Sequence, residues 1–322
     1  MKNLHKKFSP SSAGSARIPV LYELLPPPRS EIDKALSPFL HAIDKLLENV
    51  HIDAFNIPEI HGEMGQTKEK GARTVPKGDP REFGQVLLRH RPDVPVIINH
   101  VVVHDPVEQL SAWMEETHQT YNVSNVVFVG GESNTIHYPG PTVRQATEWV
   151  RDHFNEGKQA EEQMLVGGIT IATRRHQNPE ADEPLRLINK GRSGTSFFTS
   201  QIIYEAEAMK KLLTDYDALC IKSNVEPKRI FISFAPASTV KDIQFLRWLG
   251  VSIPPDVEAR LVEGWIGMGW RSLDICIGIL SDILSYCRTN SLRVPLGLNV
   301  EHVMKYNFEL SKELLMKLSE LL

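Results

Sequence analysis

Cysteine is scarce in this sequence: Cys220, Cys276 and Cys287 are the only three. An odd number in no metal-type spacing excludes a disulfide framework and a zinc ribbon, and suits a reducing compartment. Long apolar runs are missing too; none reaches the roughly 18 residues that span a bilayer. Positive charge is not in excess, with 36 Lys and Arg against 40 Asp and Glu, a net charge of −4. Without a strong positive field to hold a phosphate backbone, nucleic acid is not the expected partner. A G-x-G-x-x-G fingerprint and the P-loop order are also absent. Residues 1–17 are basic and Ser-rich but lack the apolar segment of a signal peptide. They are expected to form a flexible tail on a cytoplasmic protein.

What is present is a regular alternation. Apolar residues make up 41% and charged residues 24% of 322, ordinary values for a globular chain able to bury a large core. Strand-like runs occur at Val20 to Glu23, Ala54 to Ile57, Val96 to Val103, Asn125 to Val129 and Leu165 to Ile171. Others follow at Ser196 to Ile202, Arg229 to Phe234 and Val294 to Val300. Helical patterns lie between most of them, including Pro80 to His90, Val107 to Tyr121, Thr142 to Asn155, Tyr204 to Ser223 and Thr239 to Trp248. A stretch from Asp256 to Arg288 reads as one or two helices, and a last helix runs from His302 to Leu322.

Continuous Val/Ile runs such as Val96 to Val103 suit strands buried on both faces, as a parallel sheet requires. Eight βα units without a low-complexity linker predict an α/β fold, a single βα8 (TIM) barrel over residues 18–322. The Gly-, Lys- and Glu-rich stretch from Glu59 to Pro80 is expected to be a mobile flap. In such a barrel chemistry belongs at the C-terminal strand ends. That rule selects Glu23, Asn56, Glu59, His100, Glu132, Arg174, Gln201 and Asn299.

Each candidate has a plain structural alternative. Glu23 sits in an apolar run where burial favours its protonated form, giving a general acid or a structural glutamate paired with a cation. Gly130 and Gly131 before Glu132 allow a ligand near the backbone, or simply make a tight turn. The stretch Asn189 to Thr195 reads as a basic, glycine-containing loop that holds phosphate through Lys190 and Arg192, or as a solvated turn. His100 and His104, four apart, lack an obvious third ligand, so no metal site is expected. The five tryptophans fall in helical patterns and are expected to pack.

Taken in order, several segments resemble the methylenetetrahydrofolate reductase family. Tyr22-Glu23-Leu24-Leu25-Pro26-Pro27 is similar to its opening F-E-F-F-P-P, and Asn125 to Glu132 to its N-I-V-A-L-R-G-D. Asn178-Pro179-Glu180-Ala181 is similar to H-P-E-A, Thr199-Ser200-Gln201 to I-T-Q, Val251 to Pro254 to V-R-I-P, and Leu298-Asn299 to T-L-N. Each motif is weak alone; six in order, from Val20 to Asn299, are specific.

The resemblance implies reduction of 5,10-methylenetetrahydrofolate to 5-methyltetrahydrofolate, a step of one-carbon metabolism. Carried over by position, Glu23 and Glu132 are catalytic, and Gln201, Glu132 and Asn299 meet the folate. His100 (or Asn99, an equal alignment), Gly131, Arg174, Glu183 and Lys190 fall at positions for the cofactor. The departures fall on the flavin: Gly130 stands for the arginine of R-G-D, Arg174 for a tyrosine, and only Lys190 survives of a basic K-R-K. Hydride therefore comes from NADH or NADPH, through FAD if it binds and directly if it does not. Two alternatives remain open, a folate-binding protein without redox chemistry and a barrel reductase acting on another pterin carrier. Association of identical copies is left open.

Overall fold

The computed structural model describes residues 4–8, 17–28, 32–60, 78–131, 137–159, 162–264 and 267–322. Eight parallel strands form a closed barrel in chain order. They are β1 Val20–Glu23, β2 Ala54–Ile57, β3 Val96–Val101, β4 Asn125–Val129, β5 Leu165–Thr170, β6 Phe197–Ile202, β7 Arg229–Phe234 and β8 Leu296–Glu301. The expected α/β class and TIM-barrel architecture are therefore what the chain adopts. The helices begin with α1 Leu4–Phe8, α2 Ile32–Asn49, α3 Pro80–His90, α4 Val107–Gln119, α5 Val143–Trp149 and α6 Arg174–Gln177. They continue with α7 Glu183–Ser193, α8 Ala206–Ser223, α9 Val240–Trp248, α10 Pro255–Val262, α11 Met268–Thr289 and α12 Phe308–Ser319.

Alternation along each strand sorts its side chains between two cores. Val20, Tyr22, Phe55, Ile57, Val96, Ile98, Ile230 and Ile232 face the helices and join the large outer core. Leu21, Ala54, Ile97, Val127, Leu165, Phe197 and Phe231 face inward and fill the barrel floor. Gly167 and Gly297 make room there, since a Cβ on either would lie about 2.5 Å or less from the ring of Phe197 or Phe231. Alternating small and large residues fill a closed barrel in this way.

Several local expectations shift. Residues 4–8 are not loose: Leu4 and Phe8 of α1 are 1% exposed, and Phe8 meets the rings of Phe197 and Phe231 at 5.1 and 4.7 Å. Buried Asp53 anchors this plug by accepting from Lys7 Nζ, Arg17 Nη2 and the backbone N–H of Val20 at 2.8 to 2.9 Å. Burial opposes ionisation of Asp53, but these donors outweigh it and hold the carboxyl below its ordinary range.

Residues 189–195 are not a phosphate loop. They close α7, capped at its start by Asp182 and at its end by Gly194, whose φ of 120° is a region glycine favours. Only Pro184, Leu187 and Ile188 supply its apolar buried face, too few for a clear helical period. β3 ends at Val101, so His104 lies beyond the strand and does not share a strand face with His100. β8 starts after Pro295 and runs on to Glu301, one residue past its expected end. The expected flap lies largely outside the described residues, which exclude 61–77.

Candidate functional site

At the C-terminal end of the barrel the inward positions become polar. Glu23 on β1 lies between Asn56 on β2 and Glu301 on β8, its partners in the strand registers. Asn56 Nδ2 donates to Glu23 Oε2 at 2.8 Å. On the other side, Asn299 Nδ2 donates to Glu301 Oε1 at 3.2 Å and to Ser233 Oγ at 2.9 Å. Asn99, inward on β3, is also buried. The strand period of two makes this ring from single residues far apart in sequence.

The two carboxyls lie in a place that disfavours charge. Burial pushes the Glu23 carboxyl well above its ordinary range, the nearby Glu301 charge pushes it further, and the Asn56 bond only partly opposes them. Burial likewise pushes Glu301 up to about 7, against the lowering bonds from Ser233 and Asn299. Two adjacent carboxyls that both resist ionisation hold a proton near neutral pH.

The ring also has spare acceptors. Among the described residues, buried Oδ1 atoms of Asn56, Asn99 and Asn299 accept no hydrogen bond. Buried carbonyl oxygens are costly to leave without donors. Together with the carboxyls they suit a compact ligand rich in N–H groups.

The candidates from sequence fall into three groups. Glu23 and Asn299 are in the ring. Gln201 is at the rim, where β6 shifts register between Thr199 and Ile202. Its side chain is tied to the backbone, donating to Leu249 O at 2.9 Å and accepting from Ile202 N at 3.0 Å. One N–H and one lone pair remain for a ligand. Glu132 lies outside the described residues.

The remaining group, assigned by resemblance to the cofactor, is used within the protein. Glu183 accepts from Thr170 Oγ1, Ile171 N and Arg174 Nε at 3.1, 3.0 and 2.5 Å. Lys190 Nζ donates to Ile169 O at 2.6 Å, and burial pushes its ammonium down to about 8. His100 faces the helices: its ring stacks on Trp113 at 3.9 Å and Nδ1 lies 2.9 Å from Glu59 Oε2. A Cβ on Gly131 would meet the Tyr138 ring at 2.2 Å. Asn99, not His100, is the inward residue of that pair. These side chains brace β3, β5 and α7, and as arranged they do not fit a flavin.

Glu301 lies one residue past the strand end expected at Val300, so the strand-end rule does not select it. Its signal was its spacing, two residues beyond Asn299 on the same face. No described group of three or more His, Cys, Asp or Glu is placed to hold a metal ion. No described helix is long and apolar enough to cross a membrane.

No family model and no curated protein matches the chain. Among solved structures it is similar to an uncharacterized protein from Clostridium thermocellum that binds two copies of 5-methyl-5,6,7,8-tetrahydrofolic acid. The TM-score is 0.74 at 21% identity, over 97% of this chain and 99% of that one. It is also similar to the tryptophan synthase alpha chain of Legionella pneumophila, with a TM-score of 0.51 at 8% identity over 100% of this chain and 97% of that one. At such identities the likeness is one of fold.

Proposed function

We propose that the chain binds a reduced folate at the C-terminal mouth of the barrel and reduces 5,10-methylenetetrahydrofolate to 5-methyltetrahydrofolate. The observation that carries this reading is the buried Glu23 carboxyl, held by Asn56 in a place that pushes it well above its ordinary range, at the end of the barrel where the buried Oδ1 atoms of Asn56, Asn99 and Asn299 accept no hydrogen bond. A pterin offers a row of N–H donors to such acceptors, and the methylene bridge needs an acid. The folate bound by the Clostridium thermocellum protein of similar fold supports the ligand class.

In this reading Glu23 gives its proton to N10 as the bond from the bridging carbon to N10 breaks. The electron pair of that bond goes to N10, and the N5 lone pair forms the iminium. A hydride from NADH or NADPH then adds to the iminium carbon, leaving 5-methyltetrahydrofolate and oxidised nicotinamide. Glu23 regains a proton from water. The carboxylate left beside the cationic iminium stabilises it electrostatically.

A second reading, binding without reduction, is favoured by one observation: the side chains assigned to the hydride-relaying cofactor are bonded within the protein, Arg174 to Glu183 and Lys190 to the Ile169 carbonyl. Two assays separate the readings. In the first, 5-methyltetrahydrofolate is titrated into the protein in a calorimeter. In the second, methylenetetrahydrofolate and each nicotinamide donor are mixed with the protein, and loss of reduced-nicotinamide absorbance is followed. Binding with turnover supports reduction, binding without turnover supports the second reading, and no binding overturns both.

A further inference from the structure

We infer that Glu301 is the positioning residue that keeps Glu23 in its acid form, the two carboxyls on adjoining strands acting as one proton-sharing pair. The inference rests on the reading of Glu23 as the proton donor, and it assigns a role to a residue that the resemblance does not reach.

The geometry makes the pair. Glu23 and Glu301 are register partners on β1 and β8, so their side chains leave the sheet on the same side at adjoining positions. Each has its own amide donor, Asn56 for Glu23 and Asn299 for Glu301. Those donors, with Ser233 beside Glu301, hold the two carboxyls at adjoining positions on the same face of the sheet. The His302 N–H donates to Glu23 O at 3.2 Å, tying the two strand ends together at this level. Two like charges this close cannot both form readily away from bulk water.

Among the described residues no Lys or Arg forms an ion pair with either carboxyl. From β2 the facing group is the neutral amide of Asn56, and Glu59 beyond it is turned to His100 and to the Val101 N–H. From β7 it is the Ser233 hydroxyl. The imidazole of His302, next along from β8, lies against the Phe308 ring with centroids 5.1 Å apart. Tyr22, the neighbour of Glu23 on β1, points outward to Ser311 on α12. A site so arranged holds one proton between two carboxyls at neutral pH. At that pH a ligand that takes the proton leaves it doubly negative.

The test needs no folate. Carboxyl carbons of glutamate are labelled in the full-length protein, Glu23 is assigned with Glu23→Gln, and the ligand-free wild type, Glu301→Gln and Glu301→Asp are titrated by carbon NMR. In the wild type the Glu23 and Glu301 resonances should each show two linked steps. In Glu301→Gln the Glu23 step should move down by roughly one pH unit or more, because the like charge is gone. Glu301→Asp, which keeps the charge, should restore much of the raised midpoint. A single-step wild-type titration, or a Glu23 midpoint that does not move in Glu301→Gln, overturns the inference. The wild-type titration decides the matter even if Glu301→Gln does not fold. Failure of folate binding or reduction leaves the titration untouched, so the two readings fail separately.

Discussion

Asn56 donates its amide N–H to Glu23 Oε2 at 2.8 Å, across two adjoining strands of the barrel, and thereby orients the carboxyl proposed as the acid. Glu23→Gln keeps the shape of the site and removes the acid. Turnover of methylenetetrahydrofolate should fall by about 10²- to 10⁴-fold, the usual contribution of a general acid. The affinity for 5-methyltetrahydrofolate should change by only a few-fold. Steady-state kinetics with calorimetry measures both, and unchanged turnover would remove Glu23 from the mechanism.

The stability of the fold should depend on the same carboxyl pair. Both groups have folded-state values raised above the ordinary value of 4.5, Glu301 to about 7. Their favourable protonation in the folded state is fully present below about 4.5 and is lost as pH rises through the raised values. The Tm measured by calorimetry should therefore contain a component that declines from pH 5 to 8. Glu301→Gln should flatten that decline; the same slope in the variant would exclude the pair as its source.

The floor plug makes a separate prediction. Phe8→Ala empties space between Phe197 and Phe231. Loss of a buried phenylalanine costs about 3–5 kcal/mol. Urea unfolding should show a loss of this order, with folate affinity unaffected because the site is at the opposite end. A change below about 1 kcal/mol would mean that α1 is not seated in the floor in solution.

Glu183 should prove a structural residue. It accepts from Thr170, Ile171 and Arg174 while only 3% exposed. Glu183→Ala leaves those donors without their shared acceptor, and breaking a buried ion pair typically costs about 3–5 kcal/mol. Equilibrium unfolding should show that loss. Titration of the wild-type protein with FAD should give no bound-flavin spectrum, and a stoichiometric one would reassign this cluster.

The close approach in the floor gives a last prediction. Gly297→Ala places a methyl within 2.3 Å of the Phe231 ring. Overpacking of this kind costs about 1–3 kcal/mol. Gly278→Ala, where a methyl meets nothing within 4 Å, serves as the control and should be neutral or slightly stabilising. Thermal melts of the two variants provide the comparison.

The sequence by itself determined the barrel. Doubly buried parallel strands write themselves as Val/Ile runs, and their spacing leaves room for one helix each, so the eight strands were legible to within a few residues. Glu23 and Asn299 were legible as well, because strand ends on the catalytic face follow from that frame. Tertiary structure alone decided the rest. Which of Asn99 and His100 points inward depends on the pleat, and only the closed sheet fixes it. Glu301 acquires its importance from Glu23, 278 positions earlier in the chain, once β8 closes against β1. The charged residues of α7 look like ligand contacts in sequence, but folding brings Arg174 and Ile169 to them and uses their charges internally. Local pattern encodes burial and period, whereas the partner of a charge is set by contacts between distant segments.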